Sequence, residues 1–142
     1  MEIDAEIKKE LERVTSLSDS QPKCGAIIAK GKNILSRGFA FKMAPVPENE
    51  LLVAHAEESA LLDALKRSVD VSGADIYVLL IKKTGEIRYT DASYCCVVCS
   101  RLLKQTNVAS IFYPIPGGWA KDTVDGMFSK AVKRVEETNQ DK

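Results

Sequence analysis

The sequence predicts an α/β domain of three layers, α-β-α, with a central mixed sheet of four to five strands. Three observations predict it. Amphipathic helical segments alternate with single short apolar stretches along the chain, the pattern of a sheet with parallel members covered by helices on both faces. The stretch Ile76-Tyr-Val-Leu-Leu-Ile81 is continuously apolar, as a strand buried on both sides must be. The 142 residues suit one domain with a real core.

Each element has its own signal. Ile3, Ile7, Leu11 and Val14 recur at helical spacing among Lys and Glu, predicting a helix over residues 3–15. Residues 1–22 thus form an N-terminal helix and polar loop. Gly25-Ala-Ile-Ile-Ala29, a turn at Lys30-Gly31-Lys32 and Ile34 to Gly38 predict a two-stranded hairpin. Pro45 and Pro47 make residues 39–50 a loop. Leu51 to Ser68 is rich in Ala and Leu and reads as a helix. Asp75 to Lys82 reads as the buried strand, and Ile87-Arg88-Tyr89 as a return strand after Thr84-Gly85. Val97 to Gln105 is helical, and Ala109 to Tyr113 is a strand closed by Pro114. Pro116-Gly117-Gly118 breaks the chain. Asp122 to Glu137 forms a last helix with Val124, Met127, Phe128, Ala131, Val132 and Val135 as its stripe. Residues 138–142 form a polar, flexible tail. The expectation is one domain over 1–142, without repeats or linkers.

Composition narrows the function. Lys+Arg and Asp+Glu both number 20, so formal charge is zero, against a chain that coats nucleic acid or an anionic membrane. No apolar run spans a bilayer, and Met1 to Ser20 lacks a signal-peptide core. A cytoplasmic location is the default expectation. Thiols stay reduced there, so the four cysteines read as metal ligands, catalytic groups or core fillers. Cys24 is expected to fill the core.

The chemistry concentrates in His55-Ala56-Glu57 and Cys95-Cys96-Val97-Val98-Cys99. His55 is the only histidine. One imidazole and two thiolates leave the fourth tetrahedral position of one Zn2+ open, which is the catalytic pattern. A water there has its pKa lowered to about 7. Cys96 and Cys99, three apart, share a helix face. His55 and Glu57 would diverge by roughly 200° on a regular helix. They address one site only if His55 lies at the very first turn, so the helix proper is expected near Ala54. Both halves of the site then lie at helix N-termini, whose positive ends favour thiolate. Glu57 can accept and return a proton beside the metal without binding it. Glu58 is expected to point elsewhere. A Cys-x-x-Cys pair by itself also suits a redox dithiol, but the strand–turn context before it is unlike a thioredoxin start.

These motifs resemble the zinc-dependent cytidine and deoxycytidylate deaminase family, whose pattern is H-x-E followed by P-C-x-x-C. The resemblance runs from about Cys24 to Trp119. It includes Gly25-Ala-Ile-Ile-Ala-Lys, Ser36-Arg-Gly-Phe, His55-Ala-Glu-Glu-Ser-Ala-Leu-Leu, Gly73-Ala-Asp-Ile-Tyr-Val and Cys96 to Tyr113. It implies a cytidine deaminase-like fold, one zinc held by His55, Cys96 and Cys99, and Glu57 as proton shuttle. The implied reaction is hydrolytic replacement of a ring amino group by a carbonyl, with release of ammonia. A His in the first motif is similar to the deoxycytidylate, tRNA-adenosine and guanine branches. Two positions depart from the pattern. Cys95 stands where Pro is usual, and Cys95 with Cys99 is also a possible ligand spacing. Ala40 follows Gly38-Phe39 where nucleotide-binding members carry Asn.

The implied substrate is a cytosine nucleoside or nucleotide, with adenine, guanine or tRNA-adenosine deamination, or a non-catalytic zinc module, as alternatives. Phe39, Tyr94 and Trp119 offer aromatic surface to a base, and with Ala56 they are the candidate substrate contacts. Arg88 and Lys42 are candidates for a phosphate, and Pro116 to Trp119 for a lid. Family analogy also implies a homo-oligomer, dimer or tetramer.

Overall fold

A computed structural model describes residues 1–42, 53–89 and 97–140. The elements run α1 (Ala5–Ser16), β1 (Lys23–Lys30), β2 (Asn33–Phe39), β3 (Phe41–Lys42), β4 (Val53–Ala54), α2 (Ala56–Lys66), β5 (Asp75–Ile81), α3 (Val97–Gln105), β6 (Ser110–Ile115), β7 (Gly118–Thr123) and α4 (Val124–Gln140). Five strands form one sheet in the order β2-β1-β5-β6-β7, and β3 pairs with β4 beside it. Among the described residues only β5 and β6 pair in parallel in the large sheet. Their crossover carries α3, as a parallel connection requires.

The sheet separates two cores. On one face Ala26, Ile28, Ile76, Val78, Leu80 and Ile111 pack beneath Ala56, Ala60 and Ala64 of α2, Cys99 and Leu103 of α3, and Val124 and Met127 of α4. On the other face Ile27, Tyr77, Leu79, Phe112 and Trp119 pack against Ile7, Leu11 and Val14 of α1. The expected α-β-α layering therefore holds, with three helices on one side and one on the other. Cys24 lies in the first core, as expected.

Two glycines let helices close on opposite faces. A Cβ on Gly38 would fall 2.6 Å from the Ala56 carbonyl oxygen and nearer still to the Ala60 nitrogen. A Cβ on Gly25 would fall against Thr15 of α1. Side chains longer than hydrogen at either place would push a helix off the sheet.

Several boundaries differ from the sequence reading. The break at Pro116-Gly117-Gly118 is only a tight turn. Gly117 takes φ of 88°, and Gly118 already pairs with Ile115. The chain returns as β7, an edge strand whose Trp119 is buried but whose Lys121 and Thr123 are exposed. A polar edge strand lacks the apolar run that marks a strand in sequence. The last helix then starts at Val124, where Thr123 Oγ1 accepts from the Gly126 N–H at 2.9 Å. It continues through residues 138–140 of the expected tail, since no Gly or Pro follows Gly126 to stop it. The expected return strand at Ile87-Tyr89 amounts to one bridge, Ile81 to Ile87. α2 begins at Ala56, because Val53 and Ala54 pair with Lys42 and Phe41 before the helix. Residues 43–52 of the expected loop and helix lie outside the described residues, as do 90–96 and 141–142.

Candidate metal centre

α2 supplies two functional side chains from its first turn. His55 is the residue before the helix, in extended conformation with φ −79° and ψ 150°. That geometry removes the 200° conflict with Glu57, because His55 does not follow the helical rotation. The His55 carbonyl accepts from the Ser59 N–H at 3.0 Å, so the first helical bond starts at the ligand itself. The expected position at the helix start is thus what the chain adopts, two residues later than Ala54.

Glu58 does not point away. Its Oε1 accepts from the His55 N–H at 3.4 Å, the reach-back of a capping box. The sequence signature of this box has Ser or Thr at the cap, and His55 in that place hides it.

Cys99 enters from the third residue of α3, in the first turn of that helix. The His55 Nδ1 lies 3.2 Å from Cys99 Sγ. Two ligands of one tetrahedral zinc, at bond lengths near 2.0 and 2.3 Å, sit about 3.5 Å apart, so the pair fits a shared ion with a small adjustment. One ligand atom each from His55, Glu57 and Cys99 lies within 4.8 Å of the others. Glu57 is 3% exposed and Cys99 1%, while His55 is half-buried. A buried carboxyl and a buried thiol beside an imidazole are the donor types that a metal ion holds in ionised form. The N-termini of α2 and α3 both face this point and add positive field for the anionic groups. These residues are placed to bind one metal ion.

The remaining expected site residues are distributed unevenly. Cys95, Cys96 and Tyr94 lie outside the described residues, so the choice of third ligand is not placed. Ala56 adjoins the centre, but its side chain is fully buried in the core. Phe39 pairs with Gly25 on the α1 side of the pleat, and its ring meets Phe41 edge-on at 6.0 Å. Trp119 is not brought to the cluster. It lies across the sheet in the α1 core, beside a cleft of about 510 Å³ also lined by Leu11, Leu79, Ile87 and Tyr89. The alternation of β7, hidden in sequence, decides that placement. The Lys42 N–H donates to Asp19 and the Arg88 N–H to Leu80, and both residues are exposed.

Fold and cluster together define a metal-binding α/β domain. The family described as the cytidine and deoxycytidylate deaminase zinc-binding region matches residues 1–115, and the chain belongs to it. The metal is accordingly zinc. Among solved structures, the dCMP deaminase of the cyanophage S-TIM5 is similar at 26% identity with a TM-score of 0.58, over 78% of this chain and 84% of that one. The same enzyme in complex with dCMP and dUMP gives 26% and 0.57, over 78% and 82%. The cytidine deaminase of Burkholderia pseudomallei shares the fold, with a TM-score of 0.65 at 15% identity over 88% and 96%. No curated protein sequence matches the chain.

Proposed function

We propose that the protein is a zinc-dependent hydrolytic deaminase that converts a cytosine nucleoside or nucleotide to its uracil form. The observation that carries this reading is the convergence of His55 Nδ1, Cys99 Sγ and the buried Glu57 carboxylate at two helix N-termini. Membership of the deaminase family supports the reaction class. The likeness to an enzyme solved with dCMP and dUMP supports cytosine as the base. Zero formal charge supports a small substrate over a polynucleotide.

Cys96 completes the ligand set in this reading, at the family spacing from Cys99. Zinc held there supplies a coordinated water whose pKa is near 7. With zinc held there, Glu57 would accept one proton of the attacking water and give it to the ring nitrogen beside the reacting carbon. The same carboxylate would then move the remaining hydroxyl proton to the departing amine, so that one water is consumed, a carbonyl is left and ammonia is released. Burial keeps this carboxylate from exchanging protons freely with solvent and aims it at one site. Ala56, through its backbone, and Tyr94 remain proposed neighbours of the base, while Phe39, on the α1 side of the sheet, is left out. Among the described residues no helix is long and apolar enough to cross a membrane. A cytoplasmic homo-oligomer is part of the proposal.

Ammonia release from cytidine, deoxycytidine, dCMP, adenine and guanine tests it. Turnover of a cytosine substrate is expected, and Glu57→Gln should lower kcat by about 10²–10⁴ while zinc stays bound. Turnover of only a purine would replace the substrate class. Zinc binding without turnover of any would leave a metal module.

A further inference from the structure

α2 is fastened to β2 by more than apolar packing. The Phe39 N–H donates to Ser59 Oγ at 3.3 Å. The Arg37 N–H donates to Asp63 Oδ2 at 3.2 Å. The Leu35 carbonyl accepts from the Arg67 guanidinium, which also pairs with Asp63 at 2.9 Å. Ser59, Asp63 and Arg67 are four apart along one helix row, while Leu35, Arg37 and Phe39 are two apart along the outer edge of the sheet. Four helical residues rise about 6 Å, and two strand residues about 6.6–6.8 Å. The two rows therefore stay in step for three rungs. Continuing the row by four from Ser59 gives His55. The strand side continues to Phe41, which pairs with Ala54, the residue before His55. Gly38 removes the one side chain that would hold the rows apart.

We propose that this ladder sets the height of His55 and Glu57 against Cys99, so that Ser59 and Asp63 are positioning residues for the metal centre. The inference rests on the metal-binding part of the reading above and not on its substrate. A helix held by small apolar residues alone can slide along a sheet, because hydrophobic burial is not directional. A hydrogen-bonded row in step with the strand resists a partial slip, because its three rungs would break together, each exchanged for water at a net loss of about 0.5–1.5 kcal/mol. His55 is held from both sides, by the Phe41–Ala54 pair before it and by the Ser59 rung after it. A slip of the helix would change the 3.2 Å separation of Nδ1 from Cys99 Sγ directly.

Cobalt(II) affinity, measured by chelator competition, and the cobalt absorption spectrum test this in the full chain. Asp63→Ala should weaken cobalt binding by about tenfold, in the range seen when groups orienting metal ligands are removed, and should alter the spectrum. Ser59→Ala should weaken it in the same direction and serves if Asp63→Ala does not fold. Asp63→Asn keeps an oxygen acceptor for the Arg37 N–H and should restore affinity to within about threefold of the wild type. Ile7→Val, a core change under α1, should lower stability and leave affinity and spectrum unchanged. The proposal is overturned if the folded Asp63→Ala or Ser59→Ala protein binds cobalt as the wild type does. It is also overturned if Ile7→Val weakens binding equally, since the effect would then be general stability. A wild-type chain that binds no cobalt or zinc would overturn the metal centre itself and the ladder with it. Wild-type binding without deamination would leave the ladder standing and remove the deaminase reading.

Discussion

α1 and α2 attach to opposite faces of the sheet in different ways. α1 lies on its face through large side chains, Ile7, Leu11 and Val14, all buried. α2 presents Ala56, Ala60 and Ala64 to the core, with the half-buried Leu61 beside them, and adds hydrogen bonds from Ser59, Asp63 and Arg67 along the edge of β2. Both faces use a glycine for close approach, Gly25 under Thr15 and Gly38 under Ala60. The lesson is a division of labour. Area holds α1, which carries no metal ligand, and directional bonds add to the hold on α2, which carries Glu57 and follows His55.

The comparison is broken hardest by removing area on the α1 side. Leu11→Ala should cost about 2–5 kcal/mol of unfolding free energy, measured by urea denaturation, with zinc affinity unchanged in the folded protein. A matching loss of zinc affinity would mean that the two faces are not independent. Gly38→Ala should cost about 1–3 kcal/mol by overpacking and, unlike Leu11→Ala, should also weaken zinc binding, because α2 itself is displaced.

Charge separates the faces in sign. Burial raises the Asp75 carboxyl on the α1 face, with Lys121 opposing. A folded-state value above the unfolded one favours folding at low pH, and that stability is lost as pH rises through the folded value. Asp75→Asn should therefore stabilise the protein at neutral pH, with the gain vanishing in acid. Asp63, on α2, is lowered chiefly by its hydrogen bond to Arg67, against burial and with help from the Arg37 N–H. Its contribution is present above the unfolded value and is lost as pH falls through the folded one. Asp63→Asn should therefore destabilise at neutral pH and lose its effect in acid. Denaturation midpoints across pH 2–8 would distinguish the two, and equal profiles would contradict the assignment.

The smallest effect belongs to Ser36. Its hydroxyl is fully buried with no hydrogen-bond partner among the described residues. Ser36→Ala should be neutral or stabilise by up to about 1 kcal/mol in the same denaturation experiment, with metal affinity retained. A clear destabilisation would point to a bridging water at that position.

Local pattern made much of this visible in the sequence. The helical recurrence of Ile7, Leu11 and Val14 gave α1, and the run from Ile76 to Ile81 gave β5. The two motifs gave His55, Glu57 and Cys99, and the rule that residues two apart diverge on a helix placed His55 at the start of α2. What local pattern could not show depends on pairing across the chain. β7 is a polar edge strand recognised only by its partner β6. The true start of α2 is set by Phe41 and Lys42, which claim Ala54 and Val53 for a strand. The row of Ser59, Asp63 and Arg67 looks like any solvated helix face until β2 is laid beside it. Glu58 is hidden for a local reason, since His55 stands where the capping-box signature has Ser or Thr. The place of Trp119 just after β6 suggests the site, whereas the pleat of β7 puts it on the other face.

The most direct test is the zinc content of the purified folded protein beside that of its His55→Ala and Cys99→Ser variants. A catalytic centre of this kind holds about one zinc per chain. The wild type should carry it, and both variants should lose it while remaining folded. A folded wild-type chain without zinc, or variants that keep it in full, would contradict a metal centre built on His55 and Cys99.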